Sequence, residues 1–327
     1  MNTPDDFLPT ADWAHLRLRA ELLAKVRQFF AQRGFLEVET PILSADVVVD
    51  RHLDPIAVTL PDDARRPDVG RRMWLQTSPE FGMKRLLAAG AESIYQITRA
   101  FRAGEFGSRH NPEFTMVEWY RRGDSMRAGM QLLSELAEAT LARGAAEVLS
   151  YAEAFGQHVG VDPHGASAAE LESCAARHGV NVAPGFAGGD RDAWLNLLLA
   201  ELVEPHLGTS RPTILYHYPA SQAALATVCG DPPLAERFEL YVDGIELANG
   251  YHELVDPGEL RRRSRAANES RARDGKPSLP GESRLLAAMD RGLPASSGVA
   301  LGFDRLVMVA TGASTLSEVM AFTIERA

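Results

Sequence analysis

The stretch from Phe101 to Tyr120, FRAGEFGSRHNPEFTMVEWY, constrains the fold and chemistry of this chain more than any other part. Strand patterns over 93–101 and 113–120 flank a glycine-containing turn. The turn region is rich in charged and aromatic side chains, namely Arg102, Arg109, His110, Glu113, Phe114 and Glu118. Arginine binds phosphate and carboxylate through paired hydrogen bonds, and an aromatic ring offers a stacking surface. The segment therefore suits a nucleotide beside a second anion, and the alternative is a charged hairpin on a solvated surface.

Composition limits the classes of protein to consider. The chain has 327 residues, of which 45% are hydrophobic and 24% charged, as in an ordinary globular protein of one large or two small domains. Its net charge of -10 predicts no general attraction to nucleic acid, so a role on tRNA is not expected. Two cysteines without metal or redox spacing, no signal pattern and no apolar run of about 18 residues predict a cytoplasmic protein without a membrane segment.

Basic residues cluster in one late segment. They are Arg261, Arg262, Arg263, Arg265, Arg271, Arg273 and Lys276. This cluster predicts either a local basic surface that contacts a partner or the solvated face of a helix.

Periodicity predicts the first elements. An apolar stripe over 12–33, closed by Gly34, predicts an amphipathic helix. The stretch FLEVETPIL alternates and then reaches Pro41, which favours an edge strand. Residues 73–77 read as a strand, and Ser78 is predicted to cap a helix that has Pro79 in its first position.

The middle of the chain reads as mainly helical. A helix is predicted over 125–143, and short helical patterns fill 145–212. One of them begins with a capping box formed by Ser167 and Glu170. Another follows Asp190, and a strand is predicted over 213–218. The segment 145–212 is interpreted as a small helical insert without catalytic residues.

A hairpin with two carboxylates follows. In RFELYVDGIELANGYHEL, the dipeptide Asp243-Gly244 predicts a two-residue turn, so that Tyr241 faces Glu246 and Glu239 faces Ala248. Side chains two apart share a face, which makes Glu239 and Glu246 diagonal neighbours. Mg²⁺ is usually held by one or two carboxylates together with substrate phosphates. The alternative is a pair of independently solvated carboxylates.

Regular alternation along this hairpin does not place all of its candidate site residues on one face. Asn249, Tyr251 and Glu253 fall on the opposite parity from Glu246, so a bulge must intervene if all of them serve one site. Gly250 is the expected position of that bulge.

The last strand pattern contains small residues on one face, at Gly298, Ala300 and Gly302. Such residues let a ligand approach the backbone, although they also occur as packing accommodations. Asp304 is predicted to cap the helix that follows and to place Arg305 at its N-terminus, where helix amides and a guanidinium bind phosphate.

These patterns resemble the three ordered motifs of class II aminoacyl-tRNA synthetases. FLEVETPIL resembles motif 1, the stretch 101–120 motif 2, and SGVALGFDRL motif 3; HNPEFT and the carboxylate hairpin are similar to the lysyl branch. The resemblance implies an α+β class II catalytic fold, with an antiparallel β-sheet flanked by helices. It also implies one catalytic domain over 1–327 with 145–212 as an insert, and a homodimer with Pro41 at its interface.

Individual roles follow from the resemblance. Arg102 and Arg305 would be the catalytic residues, which stabilise charge on phosphorus oxygens. The ATP contacts would be Arg102, Glu105, Arg109, His110, Phe114, Glu246 and Arg305. The amino-acid contacts would be Ser78, Glu80, Tyr120, Asn249, Glu253 and Ala300. Mg²⁺ would be held by Glu239 and Glu246.

Within these sets the chemistry divides by residue type. Phe114 would stack on adenine, with Arg305 on the other face of the base. Glu80 would hold the amino group nearest the substrate carboxylate. Tyr120 and Glu253 would hold the distal ammonium, whose charge is costly to bury without a partner.

Two positions depart from the synthetase pattern. Gly104 stands where motif 2 usually has the glutamate that contacts adenine, and Glu105 follows it. Ala300 stands where lysyl-tRNA synthetases usually have glycine. Its methyl group would displace the amino group of α-lysine and favour an amino group one carbon further from the carboxylate. The motif-1 helix begins near residue 12, which leaves no room before it for an anticodon-binding barrel.

Together these features resemble the lysyl-tRNA synthetase paralogues that modify elongation factor P. The implied activity is an ATP-dependent ligase that activates (R)-β-lysine, or lysine, as an adenylate and transfers it to a lysine ε-amino group of elongation factor P. One alternative is a freestanding aminoacylator of tRNA or of a small molecule. The other is a non-catalytic regulatory paralogue, which would be expected to have lost ATP residues that this chain retains.

Overall fold

The computed structural model describes residues 7–183, 186 and 188–327. The chain divides into two compact units, which we describe separately. Unit 1 comprises the residues up to Gly123 and from Leu254 onward, and unit 2 comprises Asp124–Glu253. The prediction that 1–327 forms one catalytic domain stays a prediction.

Unit 1 is built on strands of mixed length with helices around them. Its strands are β1 (Leu36–Glu37), β2 (Leu43–Ser44), β3 (Ala57–Pro61), β4 (Gly70–Leu75), β5 (Ser93–Phe101), β6 (Glu113–Arg122) and β12 (Ser296–Gly302). Its helices are α1 (Trp13–Ala31), α2 (Glu80–Ala88), α7 (Pro257–Arg273), α8 (Arg284–Met289) and α9 (Phe303–Thr311). The main strands are hydrogen-bonded in the order β1-β5-β6-β12, and β2-β4-β3 form a separate antiparallel sheet.

The main strands of unit 1 are mostly antiparallel. Only the short pairing of β1 with β5 among them is parallel, and β5 with β6 and β6 with β12 are antiparallel. The predicted hairpin over 93–101 and 113–120 is confirmed. Pro41 interrupts FLEVETPIL, which forms the two short strands β1 and β2 instead of one strand, because proline cannot donate to a ladder.

Helix α1 forms where the apolar stripe predicts it. The carboxylate of Asp12 accepts from the backbone N–H of His15 at 2.7 Å and so caps the helix. Leu22, Val26, Phe29 and Phe30 are buried. The Phe30 ring stacks on Tyr95 of β5, with ring centroids 4.5 Å apart. The helix therefore packs its apolar stripe on one face of the β5–β6 hairpin.

Unit 2 consists of a helical part and an antiparallel hairpin. Its helices are α3 (Met126–Leu141), α4 (Tyr151–His158), α5 (Ala168–Arg177) and α6 (Arg191–Leu198). Its strands are β7 (Glu147–Ser150), β8 (Thr213–Pro219), β9 (Val228–Cys229), β10 (Leu234–Val242) and β11 (Ile245–His252). The predicted capping box of Ser167 and Glu170 is present at the start of α5. The helix that follows Asp190 continues past α6 as a π-helical turn over Leu199–Val203.

The helical insert shares an apolar core with strands β8 and β10, which contribute Tyr218 and Tyr241. Tyr151, Phe155, Leu171 and Trp194 are all buried in one cluster. Burial of large side chains on this scale supplies most of the stability that a segment of short helices needs, because isolated helices of this length are marginal in water.

Candidate active site

Strand β6 carries two of the predicted site residues, Phe114 and Tyr120, on the same face as Glu118. Phe114, Glu118 and Tyr120 alternate along β6 and therefore point the same way. In β12, Ala300 lies directly opposite Glu118 and Gly298 opposite Tyr120. Phe114, predicted to contact the nucleotide, and Tyr120, predicted to contact the substrate ammonium, thus share one face of the sheet.

Arg102 and Phe114 meet at one end of this face. The Arg102 guanidinium lies over the Phe114 ring, 4.9 Å from its centroid. It also lies 3.6 Å from the carboxylate of Glu105, and its Nε donates to the carbonyl of Thr77 at 3.4 Å. Gly104 has a φ of +79°, a conformation that glycine adopts freely. Glu105 therefore follows a tight turn and is paired with Arg102.

Arg305 lies against Arg109 and His110, and its predicted place on the face of adenine opposite Phe114 stays a prediction. Arg305 Nε donates to the Arg109 carbonyl at 3.3 Å, and Arg305 Nη2 lies 2.8 Å from His110 Nε2. Arginine has no acceptor, so His110 accepts through Nε2 and carries its proton on Nδ1. Burial, followed by the charge of Arg305, lowers the pKa of His110 below its usual value. A neutral His110 beside the guanidinium of Arg305 forms a suitable surface for phosphates.

Asp304 does not have the predicted role. Helix α9 begins at Phe303 after Gly302, and no side chain caps it. Asp304 lies inside the first turn, where its Oδ2 accepts from the backbone N–H of Thr115 at 2.6 Å. The prediction that Asp304 caps the helix is therefore wrong, because the carboxylate bonds to the neighbouring strand instead.

A buried cluster of charges lies further along the same face of β6. Glu118 accepts from Ser78 Oγ and from the Tyr120 hydroxyl, each at 2.6 Å. Glu80 is paired with Lys84 Nζ at 2.5 Å, one helical turn away in α2. Lys84 is 2% exposed and Glu118 1%. Two carboxylates and one ammonium are thus enclosed together.

This enclosure changes the pKa of Glu118. Burial, followed by the charge of Glu80, raises the pKa of Glu118 from 4.5 to about 7, against the opposing effect of its hydrogen bonds. An approaching ammonium would favour its ionised form, so the cluster is suited to bind a cationic amino group.

Ser78 reaches this cluster in a way that the sequence did not predict. Helix α2 begins at Glu80 with Pro79 as its N-cap residue, so the predicted start is shifted. Ser78 Oγ accepts from the backbone N–H of Glu80 at 3.0 Å while donating to Glu118. One hydroxyl therefore ties the start of α2 to β6.

Unit 2 brings its predicted residues together by means of a β-bulge. Glu239 is opposite Asn249 and Tyr241 is opposite Glu246, with a shift of register between Leu240 and Tyr241. Residues opposite each other share a face, so Glu239, Glu246 and Asn249 lie on the same side. The predicted bulge exists, but it lies at Leu247 and not at Gly250, and Glu239 does not face Ala248.

Glu239 is enclosed by its own hydrogen bonds. Its carboxylate is ion-paired with Arg237 and accepts from the hydroxyl groups of Tyr218 and, at 2.6 Å, Tyr241. Burial lowers the pKa of Arg237, but the neighbouring charge of Glu239 raises it. The pKa of Arg237 therefore lies above its ordinary value. Glu239 is 4% exposed. It is arranged as the counter-ion of Arg237, and its predicted role as a metal ligand stays a prediction.

The remaining predicted residues of unit 2 lie on or beside β11. Asn249 Nδ2 donates to the Tyr251 hydroxyl at 2.7 Å, and its Oδ1 accepts from Arg237 at 3.2 Å. Glu253 is 1% exposed, and its backbone bridges to Ala226. Glu246 is only partly buried, which leaves it better placed than Glu239 to meet a ligand.

The side chains of the site include few groups that could hold a metal ion. Within the described ranges, no group of three or more His, Cys, Asp and Glu side chains is arranged to hold an ion. Mg²⁺ needs only one or two protein carboxylates when substrate phosphates complete its shell. Glu246 is a partly buried carboxylate that fits that requirement, whereas Glu239 is buried and paired with Arg237.

Five of the seven predicted cations in the basic segment 261–276 have carboxylate partners. Arg261 pairs with Glu282 and Asp290, and Arg262 and Arg263 pair with Glu259. Arg271 is 1% exposed and pairs with Asp54, as does Lys276. The interpretation of this segment as a surface that contacts a partner stays a prediction, and Arg271 is too buried to take part in it.

Comparison with known proteins places these features in a family. Residues 10–326 match the class II tRNA synthetases (D, K and N), and the chain belongs to this family. The predicted α+β class II fold is confirmed. In the part of the chain that the structure describes, no helix is both long and apolar enough to cross a bilayer.

Several curated relatives match along nearly the whole chain. The elongation factor P–(R)-beta-lysine ligase of Edwardsiella ictaluri is 48% identical over 323 residues, which cover 98% of each chain. The proteins of the same name from Enterobacter sp. and Klebsiella pneumoniae are 47% identical over 321 residues, again 98% of each chain.

Sequence reasoning gave no role to Glu118 or Lys84. Both positions carry a recognisable signal in retrospect. Glu118 falls on the same parity as Phe114 and Tyr120, and Lys84 lies four residues after Glu80, which places the two on one helical face. Their burial is the property that the sequence does not display.

We predict that Glu118→Gln changes how stability depends on pH. The raised pKa of Glu118 means that the folded state binds an extra proton between about pH 4.5 and 7, so its contribution to stability is lost as the pH rises through that window. Relative to Glu118→Gln, the free energy of unfolding of the wild type should fall by at most about 1.4 kcal/mol per pH unit there.

Urea unfolding at several pH values measures this difference. Glu21→Gln, which removes an exposed carboxylate from α1, is the matched control for the loss of one charge. The free energy of unfolding of wild type minus that of Glu118→Gln should become more negative from pH 5 to 7, and a value that stays constant or becomes more positive would contradict the prediction.

Proposed function

We propose that this chain is an ATP-dependent ligase that activates (R)-β-lysine as an adenylate and attaches it to a lysine ε-amino group of elongation factor P. Belonging to the class II synthetase family and near full-length similarity to ligases of that name support the activity. The observation that carries it is the order of groups on one face of β6. Arg102 and Phe114 stand at one end, and the buried cluster of Glu118 and Tyr120 stands further along.

The nucleotide end suits the first half-reaction. A substrate carboxylate attacks the α-phosphate of ATP, forms an aminoacyl-adenylate and releases pyrophosphate. Arg102 would hold the reacting carboxylate and phosphate together, while Arg305, Arg109 and His110 would meet the outer phosphates. Catalysis of this kind depends on positioning and on stabilising charge, so it needs no covalent intermediate with the protein.

The buried cluster suits an amino acid with a second ammonium. With Glu80 and Glu118 ionised and Lys84 protonated, the cluster has a net charge of about -1 and so favours a cation. Neutral side chains would leave buried charge without a partner and are rejected on that ground. In this structure Glu80 is held by Lys84, so a substrate amino group would share that carboxylate rather than meet it free.

Ala300 is the proposed determinant for β-lysine. It lies opposite Glu118 in the register of β12 and β6, so its methyl group stands on the face that carries the ammonium cluster. An added methyl would crowd the amino group of α-lysine and leave more room for an amino group one carbon further away.

The second half-reaction transfers the activated acyl group. The ε-amine of the acceptor lysine attacks the adenylate carbonyl, AMP leaves, and the amine gives up a proton. Oxygens of pyrophosphate or AMP are the proposed proton acceptors, since the sequence offers no evident general base. Mg²⁺ would neutralise phosphate charge when bound, and Glu246 is the carboxylate proposed to hold it. We also infer a homodimer, from the resemblance of the Pro41 segment to motif 1, and a cytoplasmic location, because the proposed acceptor is a translation factor.

A competition assay tests the proposed function directly. Purified protein would receive ATP, Mg²⁺ and α-lysine or (R)-β-lysine, with unmodified elongation factor P and total tRNA both present. We expect a β-lysyl mass gain on elongation factor P by intact-mass spectrometry and no acid-precipitable charging of tRNA. Charging of tRNA alone would show that the chain is a freestanding synthetase. The absence of both products would favour the non-catalytic paralogue.

We predict that Ala300→Gly shifts the choice of amino acid. Removal of the methyl should raise kcat/KM for α-lysine relative to (R)-β-lysine by roughly 10- to 200-fold, the range that one methyl group gives in a fitted pocket. Amino-acid-dependent pyrophosphate exchange measures both substrates with the same variant. An unchanged ratio, with the melting temperature preserved, would remove Ala300 from the specificity argument.

We predict that the two hairpin carboxylates differ in metal dependence. Glu246→Gln should raise the Mg²⁺ concentration for half-maximal adenylate formation by at least about tenfold, because a direct ligand is lost. Glu239→Gln should leave that concentration nearly unchanged and instead lower stability by about 3–5 kcal/mol, because Arg237 loses its buried counter-ion. Titration of Mg²⁺ together with urea unfolding separates the two effects, and equal increases in the Mg²⁺ requirement would restore Glu239 as a ligand.

A further inference from the structure

We propose that Arg19 is a positioning residue for ATP, which fixes the strand and the helix that carry Phe114 and Arg305. The inference rests on the proposed use of ATP and adds a residue from α1 that lies outside the predicted site. Arg19 contacts Thr115 and Asp304, which are next to these two residues in the chain.

Three elements of unit 1 meet at Arg19. Its Nη2 donates to Thr115 Oγ1 at 2.7 Å, and its Nη1 lies 2.6 Å from Asp304 Oδ1. The second contact is a charge contact at an angle that does not suit a hydrogen bond. Asp304 Oδ2 in turn accepts from the backbone N–H of Thr115. Arg19, Thr115 and Asp304 therefore form a closed ring that joins α1, β6 and α9.

The ring is adjacent in sequence to two proposed nucleotide contacts. Thr115 follows Phe114 in β6, and Asp304 precedes Arg305 in the first turn of α9. Successive side chains of a strand point to opposite faces, so Thr115 faces Arg19 while Phe114 faces away. Arg19 thus holds the backbone of both residues from behind the sheet.

The ring has the properties of a rigid joint. Asp304 is 2% exposed and Thr115 7%, while 14% of the Arg19 side chain is exposed. A buried carboxylate is tolerated when its partners satisfy it, so Asp304 stays in place only while Arg19 and the Thr115 N–H face it. Arg19 also lies over the Phe303 ring, 5.0 Å from its centroid, which fixes the plane of the guanidinium.

Arginine is specifically required by this arrangement. A guanidinium presents several donors in one rigid plane and can reach two acceptors at once, whereas a lysine ammonium behaves as a point charge. Arg99 Nη1 donates to Thr115 Oγ1 at 3.0 Å, but no ion pair joins Arg99 to Asp304 among the described residues. Arg99 therefore does not replace Arg19 in the ring.

The experiment compares three variants of the full chain. Arg19→Met removes the ring, Arg19→Lys keeps the charge without the fork, and Arg27→Met is the matched control. Arg27 is on the same helix and pairs with Glu37 at 3.2 Å, with 50% and 41% of the two side chains exposed. The measurements are the Kd for ATP by calorimetry, the KM values for ATP and for the amino acid by pyrophosphate exchange, and the melting temperature.

We expect a split between the two substrates. Arg19→Met should weaken ATP binding by about tenfold or more, equivalent to about 1.4 kcal/mol, with the amino-acid KM changed less than about twofold. Arg19→Lys should lie between Arg19→Met and wild type, and Arg27→Met should match wild type. A purely structural role would lower the melting temperature with no such split, and that result would overturn the proposal.

Two further outcomes are decisive. If Arg19→Met fails to fold, Thr115→Val removes one member of the ring while keeping its N–H, and unchanged ATP binding by that variant would overturn the proposal. If the wild type itself binds no ATP, the proposed function fails together with this inference. If the wild type binds ATP and Arg19→Met binds it equally well, only the positioning role fails.

Discussion

Alternation along β6 is the constraint on which the rest of unit 1 depends. One face of this strand presents Phe114, Glu118 and Tyr120, and the other presents Thr115 to α1 and α9. The same backbone therefore belongs to a ligand face and to a supporting face. Phe114 and Thr115 are consecutive residues on opposite faces of the strand. A shift of Thr115 and the contacts that support it would therefore also move Phe114.

Charge balance is the second organising element. Both units bury carboxylates beside a cation of their own unit. Lys84 stands beside Glu80 and Glu118 in unit 1, and Arg237 stands beside Glu239 in unit 2. A buried charge without such a partner is costly, so these cations stabilise the ligand-free state as well as tune the site. The folded chain is thus prepared for charged substrates before any substrate arrives.

Much of this architecture is readable from the sequence. The hairpin of β5 and β6, the stripe of α1 and the turn at Asp243-Gly244 follow from local patterns that tertiary structure did not override. Arg305 also lies against Arg109 and His110 of motif 2, residues that the family pattern singles out, while their role in binding ATP stays a prediction. These successes concern features set by backbone period and by turn chemistry.

The failures have a common physical origin. The position of the bulge, the bonding of Asp304 and the enclosure of Glu239 each depend on a partner that is distant in sequence. Burial of Lys84 and Glu118 is likewise a tertiary property. Local rules predict which groups are present, whereas the competition among partners for one carboxylate is settled only by packing.

The bulge at Leu247 makes chain length part of the chemistry of unit 2. Glu246 and Asn249 are an odd number of positions apart, yet they share a face because one extra residue is accommodated between them. If the bulge were straightened with every residue kept, the regular pleat would turn the carboxylate and the amide to opposite sides. Removal of Leu247 would instead leave them two positions apart and on one side, without the bulge. In this segment, the site is therefore encoded by spacing as much as by composition, because a separation of three positions serves one face only where the bulge is present.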